Sequence, residues 1–269
     1  MVDRAASHVA GRRGETDPLF KQSTGEGGMA DLEYGGEQKI KADFIFRVYA
    51  LLSTQLVITV AIGTGIAFSE PMKAFAISVF AGGGGFFFML VTVPLICAIH
   101  IYKDKYPTNI VLFLVFTVIM GFFVGLACLS VLQRGSKLGT SGLSTGAEDL
   151  LLSIGCTAVV FISLTFYAIY SGQDFSYLGG FLCVALIANI FFGIIASLFG
   201  LDSMRWLYCV IGVFIFSGYI LYDTYMIVNR VRLDKIDMGA AITGALELYL
   251  DIINLFLLIL ELISSRDRR

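Results

Sequence analysis

The chain has 269 residues, 57% of them hydrophobic and 15% charged, with a mean hydropathy of +0.82. That exceeds the roughly 45 to 50% apolar content of a soluble domain and marks a membrane protein, which its helix-length apolar runs make all-α. The formal net charge of -2 offers no basic surface for nucleic acid, and two histidines, His8 and His100, are too few and too separated for a histidine-built metal site.

Residues 1–43 are polar, charged and glycine-rich, with few large apolar side chains, and are expected to form a disordered cytosolic tail. The tail has neither the basic start nor the short apolar core of a secretory signal, so the first membrane helix is expected to act as an uncleaved signal-anchor. From Phe44 to residue 264 the hydropathy divides into seven runs: 44–68, 74–101, 109–132, 149–170, 178–199, 205–228 and 241–263. Each has the roughly 20 residues that a helix needs to cross a hydrocarbon core. Ser69-Glu70-Pro71, Lys103 to Pro107, the Gly/Ser/Thr-rich stretch from Arg134 to Glu148, and Ser171 to Asp174 punctuate them. Lys39, Lys41 and Arg47 before the first run, Lys103 and Lys105 after the second, and Arg230, Arg232 and Lys235 after the sixth place those segments on the cytosolic side. Residues 265–269 are a short basic tail whose arginines, Arg266, Arg268 and Arg269, run against a simple crossing by the last helix. A spanning and a re-entrant course are both open there.

Several features have structural readings. Gly82 to Gly85 lies in an apolar run with no Gly-Lys-Ser/Thr after it, which favours close packing or a break in the second helix over a phosphate loop. Pro94 predicts a kink, and Gln55 an interhelical hydrogen bond. The five cysteines, Cys97, Cys128, Cys156, Cys183 and Cys209, lack CxxC spacing and are expected to be reduced packing thiols. Glu261, near a helix end, is expected to be solvated at the interface.

The informative residues are acids inside apolar helices. Glu247 and Asp251 are one helical turn apart, with Asn254 next on the same face, in the run that ends the chain. An Asp at the centre of a membrane helix costs on the order of 2.5 to 3.5 kcal/mol, so this face must point into a bundle or a wet cavity. Asp223 is a second buried acid in the preceding run, and the short link from Asn229 to Met238 makes the two helices antiparallel neighbours. Counted from the helix ends, Asp223 and Asp251 both lie roughly 10 to 15 Å from the cytosolic edge. Tyr219, Tyr222 and Tyr249 are within reach of these acids.

Four stretches carry a family resemblance: Phe46 to Leu56, Tyr106-Pro107-Thr108-Asn109 with Phe116-Thr117-Val118, Tyr219 to Thr224, and Leu248 to Phe256. The chain resembles the Bax-inhibitor motif, or Lifeguard, family over everything after the tail. The resemblance implies a seven-transmembrane-helix bundle with a central C-terminal helix, located in endomembranes such as the endoplasmic reticulum or Golgi. It further implies a calcium leak controlled by a di-aspartyl pH sensor, here Asp223 and Asp251, and an association with cell-death suppression. In the family a basic residue near the cytosolic end of the second helix can bind the pair; Lys103 or Lys105 occupies that region here. A lysine is a point charge without the bidentate fork of arginine. Glu247 is an acid that the family does not usually have.

The reading is a protein without enzymatic chemistry or a resident cofactor that conducts calcium passively, with membrane lipids, calcium and protons as its partners. Asp223, Asp251, Glu247 and the Asn254 amide supply the oxygen ligands that a hard cation takes. The alternative is a non-transporting adaptor that regulates apoptosis through contacts with cell-death regulatory proteins. An intramembrane hydrolase lacks support, because no histidine accompanies a Ser or Cys nucleophile within the membrane.

Overall fold

In a computed structural model, the backbone is described for residues 18–79, 85–137, 143–200, 204–229 and 237–265. The described residues are helical, joined by short turns: α1 Pro18–Phe68, α2 Glu70–Val79, α3 Gly85–Tyr102, α4 Thr108–Lys137, α5 Leu143–Tyr170, α6 Leu178–Leu198, α7 Arg205–Asn229 and α8 Met238–Ser264. The chain divides into two compact units, Met1–Asp43 and Phe44–Arg269. In the first, the segment expected to be disordered is helical from Pro18 onward. Proline suits the first helical position, where its missing N–H has no partner to lose.

Five helical segments of the described residues are long and apolar enough to cross a membrane: Gly36–Phe68, Thr108–Gln133, Gly146–Tyr170, Leu178–Leu198 and Arg205–Asn229. The protein is therefore a multi-pass helical membrane protein, although seven such segments were expected. The second expected run, 74–101, divides into α2 and α3, whose described apolar stretch Val91–Tyr102 is short. Residues 80–84, and so most of the glycine run, lie outside the described residues; Gly85 opens α3. The expected polar loop from Arg134 to Glu148 is largely absorbed by α4 and α5, leaving only 138–142 outside the described residues.

Helix directions follow from the registers at which side chains meet. On α7 and α8, an added Cβ at Gly212 would meet Leu258 and one at Gly244 would meet Ile227, so the two helices are antiparallel. On α6 and α7, Gly193 faces Tyr208 and Gly179 faces Tyr222, again antiparallel. By contrast, Gln55 bonds Thr117 on α4, Gly121 packs on Thr59, and Gly125 packs on Gly63, so α1 and α4 run parallel. Small residues allow this close approach of backbones, the ordinary basis of helix association in lipid.

The core is built around α8. Its residues from Gly239 to Leu260 include sixteen buried positions, among them Leu246, Leu248, Tyr249 and Leu255, and it packs against α4, α5 and α7. Phe44, Val48, Leu52, Phe113 and Phe116 complete the main cluster. The outer surfaces are apolar and exposed, as in Phe166, Phe181, Phe191 and Phe214, which suits faces turned to lipid. Gln55 is fully buried and its Nε2 donates to Thr117 Oγ1 at 3.1 Å, as an interhelical bond. Tyr249, expected beside the acids, instead pairs its hydroxyl with Thr59 Oγ1 at 2.7 Å, linking α8 to α1. All five cysteines are free thiols, but only Cys209 is buried; Cys97, Cys156 and Cys183 face outward, so those three do not pack the core.

Candidate functional site

The start of α8 is fixed by two backbone devices. Asp237 caps it, its carboxylate accepting from Ala240 N at 2.7 Å, which satisfies one of the unpaired N–H groups of the first turn. Gly239 lies so close to the α3–α4 turn that an added Cβ would stand 2.7 Å from the Lys103 carbonyl oxygen. That turn is in turn held by Asn109, whose Nδ2 donates to the same carbonyl at 2.7 Å. These contacts set the height and rotation of the helix, and hence which way its acids point.

The acids line a cavity of about 900 Å³ walled by α3, α4, α6, α7 and α8. Asp223, Glu247, Asp251 and Asn254 all reach it, with Tyr219 beside them and apolar residues such as Ile96, Phe123 and Leu186 opposite. Asp223 and Asp251 are 8% and 5% exposed, and their carboxyl groups adjoin, so that one can hydrogen-bond the other when it carries a proton. An ionised carboxylate only accepts hydrogen bonds, so a bond between two carboxyls requires one proton on the pair. Asp251 Oδ2 has no other protein partner. The pair is thus a buried group that must either keep a proton or exchange it for another cation.

Glu247 has a partner that the sequence did not disclose. His100, at the end of α3, places Nε2 3.9 Å from Glu247 Oε1, while its Nδ1 lies 3.0 Å from the Ile96 carbonyl. A carbonyl can only accept, so Nδ1 carries hydrogen and Nε2 faces the carboxylate. That contact is attractive only when a proton sits on one side or the other. Lys103 and Lys105, the expected basic partners, are exposed, and among the described residues no ion pair joins them to the acids. Lys105 instead lies over the Tyr102 ring, 5.1 Å from its centroid. Lys103 serves through its backbone carbonyl.

Asn254 faces the cavity, but its Nδ2 donates to Leu250 O at 2.8 Å, which leaves the amide oxygen as the atom for a ligand. Among the described residues no group of three or more His, Cys, Asp or Glu is arranged to hold a metal ion. What the site offers is two paired carboxyls and an amide oxygen in a wet-sized cavity, fit for transient contact with a hard cation.

The cavity does not end at Asn254. Leu258 and Glu261 continue the same face of α8, and Asn189 and Arg205 join from α6 and α7. Glu261 is neither free nor merely interfacial: its Oε1 accepts from Arg205 Nε at 3.1 Å, and its side chain is only 24% exposed. The spacing of 247, 251, 254, 258 and 261 was the signal available in the sequence, since steps of four and three keep one helical face.

Comparison with known proteins agrees with this architecture. The family described as "Inhibitor of apoptosis-promoting Bax1" matches residues 41–268. The chain is 35% identical to Protein LIFEGUARD 2 of Arabidopsis thaliana over 239 residues, covering 85% of this chain and 90% of that protein. Protein lifeguard 3 of Homo sapiens is 31% identical over 238 residues, covering 86% and 71%. Bax inhibitor 1 of Schizosaccharomyces pombe is 30% identical over 234 residues, covering 84% and 78%. With nearly all of the membrane unit matched, the chain belongs to the Bax inhibitor, or Lifeguard, family.

Proposed function

We propose that this protein is a calcium leak pathway of internal membranes, endoplasmic reticulum or Golgi, in which a proton shared by Asp223 and Asp251 makes the pathway sensitive to pH. The single observation that carries this reading is the pair of adjoining carboxyls, Asp223 and Asp251, buried against a cavity of about 900 Å³. Buried carboxyls are costly in a membrane, and a Ser or Asn would hold the helices together as well. Their chemical distinction is that they exchange protons for cations. The pH response belongs to the pair, with His100 and Glu247 as a second proton-holding contact one turn away on α8.

The architecture that goes with this reading has seven crossings, α2 and α3 together forming the second. The registers support it: α8 meets α1 at Thr59 with Tyr249 and at Val48 with Gly244, which rise together, as parallel helices do. Five crossings, an odd number, then lie between α1 and α8, so α8 spans the membrane in the same direction as α1 and ends on the side opposite to the cytosol.

A second reading has its own support in the relatives' names, Bax inhibitor and inhibitor of apoptosis-promoting Bax1. On that reading the protein suppresses cell death as an adaptor for regulatory proteins and transports nothing. Calcium flux into liposomes containing only the purified protein separates the two. The leak reading expects flux above that of empty vesicles, changed several-fold by Asp223→Asn or Asp251→Asn. Flux equal to empty vesicles, or identical in wild type and both folded variants, refutes it.

A further inference from the structure

The end of the cavity farthest from His100 holds a second set of polar groups that the carboxyl pair does not use. Glu261 lies fourteen residues beyond Glu247 on the same face of α8, about 21 Å along the helix axis and about 15 Å from Asp251. Its carboxylate is paired with Arg205, Oε1 lying 3.1 Å from Nε. Arg205 is itself 52% exposed, so its head can turn into water without being dragged from a buried place.

Between Glu261 and the acid pair stands Asn189, which is 5% exposed and lines the cavity from α6. Its Nδ2 packs near Gly212, beside Leu258, and its Oδ1 is buried without a hydrogen-bond partner. A buried, unpaired amide oxygen costs on the order of 1 to 3 kcal/mol. An oxygen left in that state against a cavity is one that a ligand can satisfy.

We propose that Glu261 and Asn189 form a second subsite for a divalent cation, and that Arg205 is a tethered competitor that occupies it with its own charge. One carboxylate and one amide oxygen suit a hard cation that keeps most of its water. Such a site is weak by construction, which is what a conduction step requires, since an ion must leave as readily as it enters. While the guanidinium lies against Glu261 it neutralises the carboxylate, and the far mouth has no net charge to attract a cation. When it turns away, the same carboxylate faces the cavity with a neighbouring amide oxygen and no resident cation. The identity of the ion rests on the leak reading; the subsite itself rests on this geometry.

Terbium(III) is a suitable probe, because it takes oxygen ligands as calcium does and is sensitised by tryptophan. The chain has a single tryptophan, Trp206, adjacent in sequence to Arg205. The full chain is purified in detergent with Asp223→Asn/Asp251→Asn, which silences the other end. Adding Arg205→Gln is expected to tighten terbium binding at the Trp206-sensitised site by at least about tenfold, as removal of a unit charge a few ångströms away implies. Adding Glu261→Gln or Asn189→Leu is expected to abolish that gain, and excess calcium to displace the terbium. Arg205→Met keeps the packing of the side-chain stem and gives the same gain should the Gln variant not fold. No gain in a folded Arg205 variant, or a gain that survives Glu261→Gln, overturns the subsite. Because this is binding with the acid pair removed, its failure is distinct from failure of the liposome flux experiment, which tests the leak itself.

Discussion

On the leak reading, protons and calcium compete for the Asp223–Asp251 pair, and proton linkage sets the size of the effect. Two adjoining buried carboxyls that share a hydrogen bond hold one proton between them. A divalent cation that replaces it releases that proton, and linkage then makes the logarithm of the apparent affinity fall by about one unit per pH unit of acidification, over the range where the proton is held. His100 Nε2 lies 3.9 Å from Glu247 Oε1, and a proton shared across that contact would add up to about one further unit if it leaves when calcium binds nearby. The wild-type slope is therefore expected between about one and two decades per pH unit. Replacing His100→Gln removes the second contribution and brings the slope to about one. Adding Asp223→Asn puts an amide donor where the proton was, so Asp251 is hydrogen-bonded without one. Residual binding should then be weaker and nearly independent of pH. The assay is calcium affinity of the purified protein between about pH 5 and 8, a range that a buried, paired carboxyl brings within reach. A wild-type affinity that ignores pH refutes the shared proton. So does a slope that is the same in His100→Gln and in His100→Gln/Asp223→Asn.

Packing makes three further predictions. Gly125→Ala should lower the thermal midpoint in detergent by several degrees, because its Cβ would stand 2.7 Å from Ile66 Cδ1 and 3.0 Å from the Gly63 backbone, an overpacking worth about 1 to 3 kcal/mol. Gly155→Ala, with nothing within 4 Å, should leave the midpoint unchanged or raise it. Tyr249→Phe removes the bond to Thr59 while the Thr59 hydroxyl still donates to Gln55 O at 2.8 Å, so the loss is about 1 kcal/mol and should appear as coupling in a double-mutant cycle with Thr59→Val. A membrane-permeant maleimide should label Cys97, Cys156 and Cys183 well before Cys209, which reacts slowly while α7 keeps it buried; equal rates would mean that α7 does not seat Cys209 as described.

The parts of the site that were legible in the sequence are those where a single residue is costly in its surroundings. An aspartate in an apolar helix has few explanations, so Asp223, Asp251 and Glu247 identify themselves, and the short link between their helices brings them to one place. Lateral partners across the bundle were not legible. His100 looks like an ordinary residue near a helix end until α3 is set beside α8, and then it faces Glu247. Lys103 drew attention by its charge, yet what α8 rests on is its carbonyl oxygen, an atom that every residue has. The division of the second run into α2 and α3 was one of two readings open in the sequence, where Gly82 to Gly85 favoured close packing or a break.

Glu261 shows how depth can mislead when direction is ignored. Ten residues past Asp251 and close to the helix end, it reads as an interfacial acid bathed in headgroup water, and depth alone gives no reason to doubt that. Direction does. Starting at Glu247, steps of four, three, four and three reach Asp251, Asn254, position 258 and Glu261, each turned to nearly the same side of the helix. An acid on that line faces whatever Asp251 faces. If Asp251 cannot face lipid, the cavity that receives it must extend toward Glu261 or be closed by a counter-charge before reaching it. In the structure both occur: the cavity continues to Glu261, and Arg205 lies across its end. The same line without an acid at its far end would have left Arg205 with no reason to turn inward, so Glu261→Gln should release the guanidinium. Cys209, one turn beyond Arg205 on α7 and lining the same cavity, provides the readout in a background where the other four cysteines are replaced by alanine. A charged, membrane-impermeant thiol reagent should reach it several-fold faster in Glu261→Gln than with Glu261 intact, and an unchanged rate would show that the pair does not close that end.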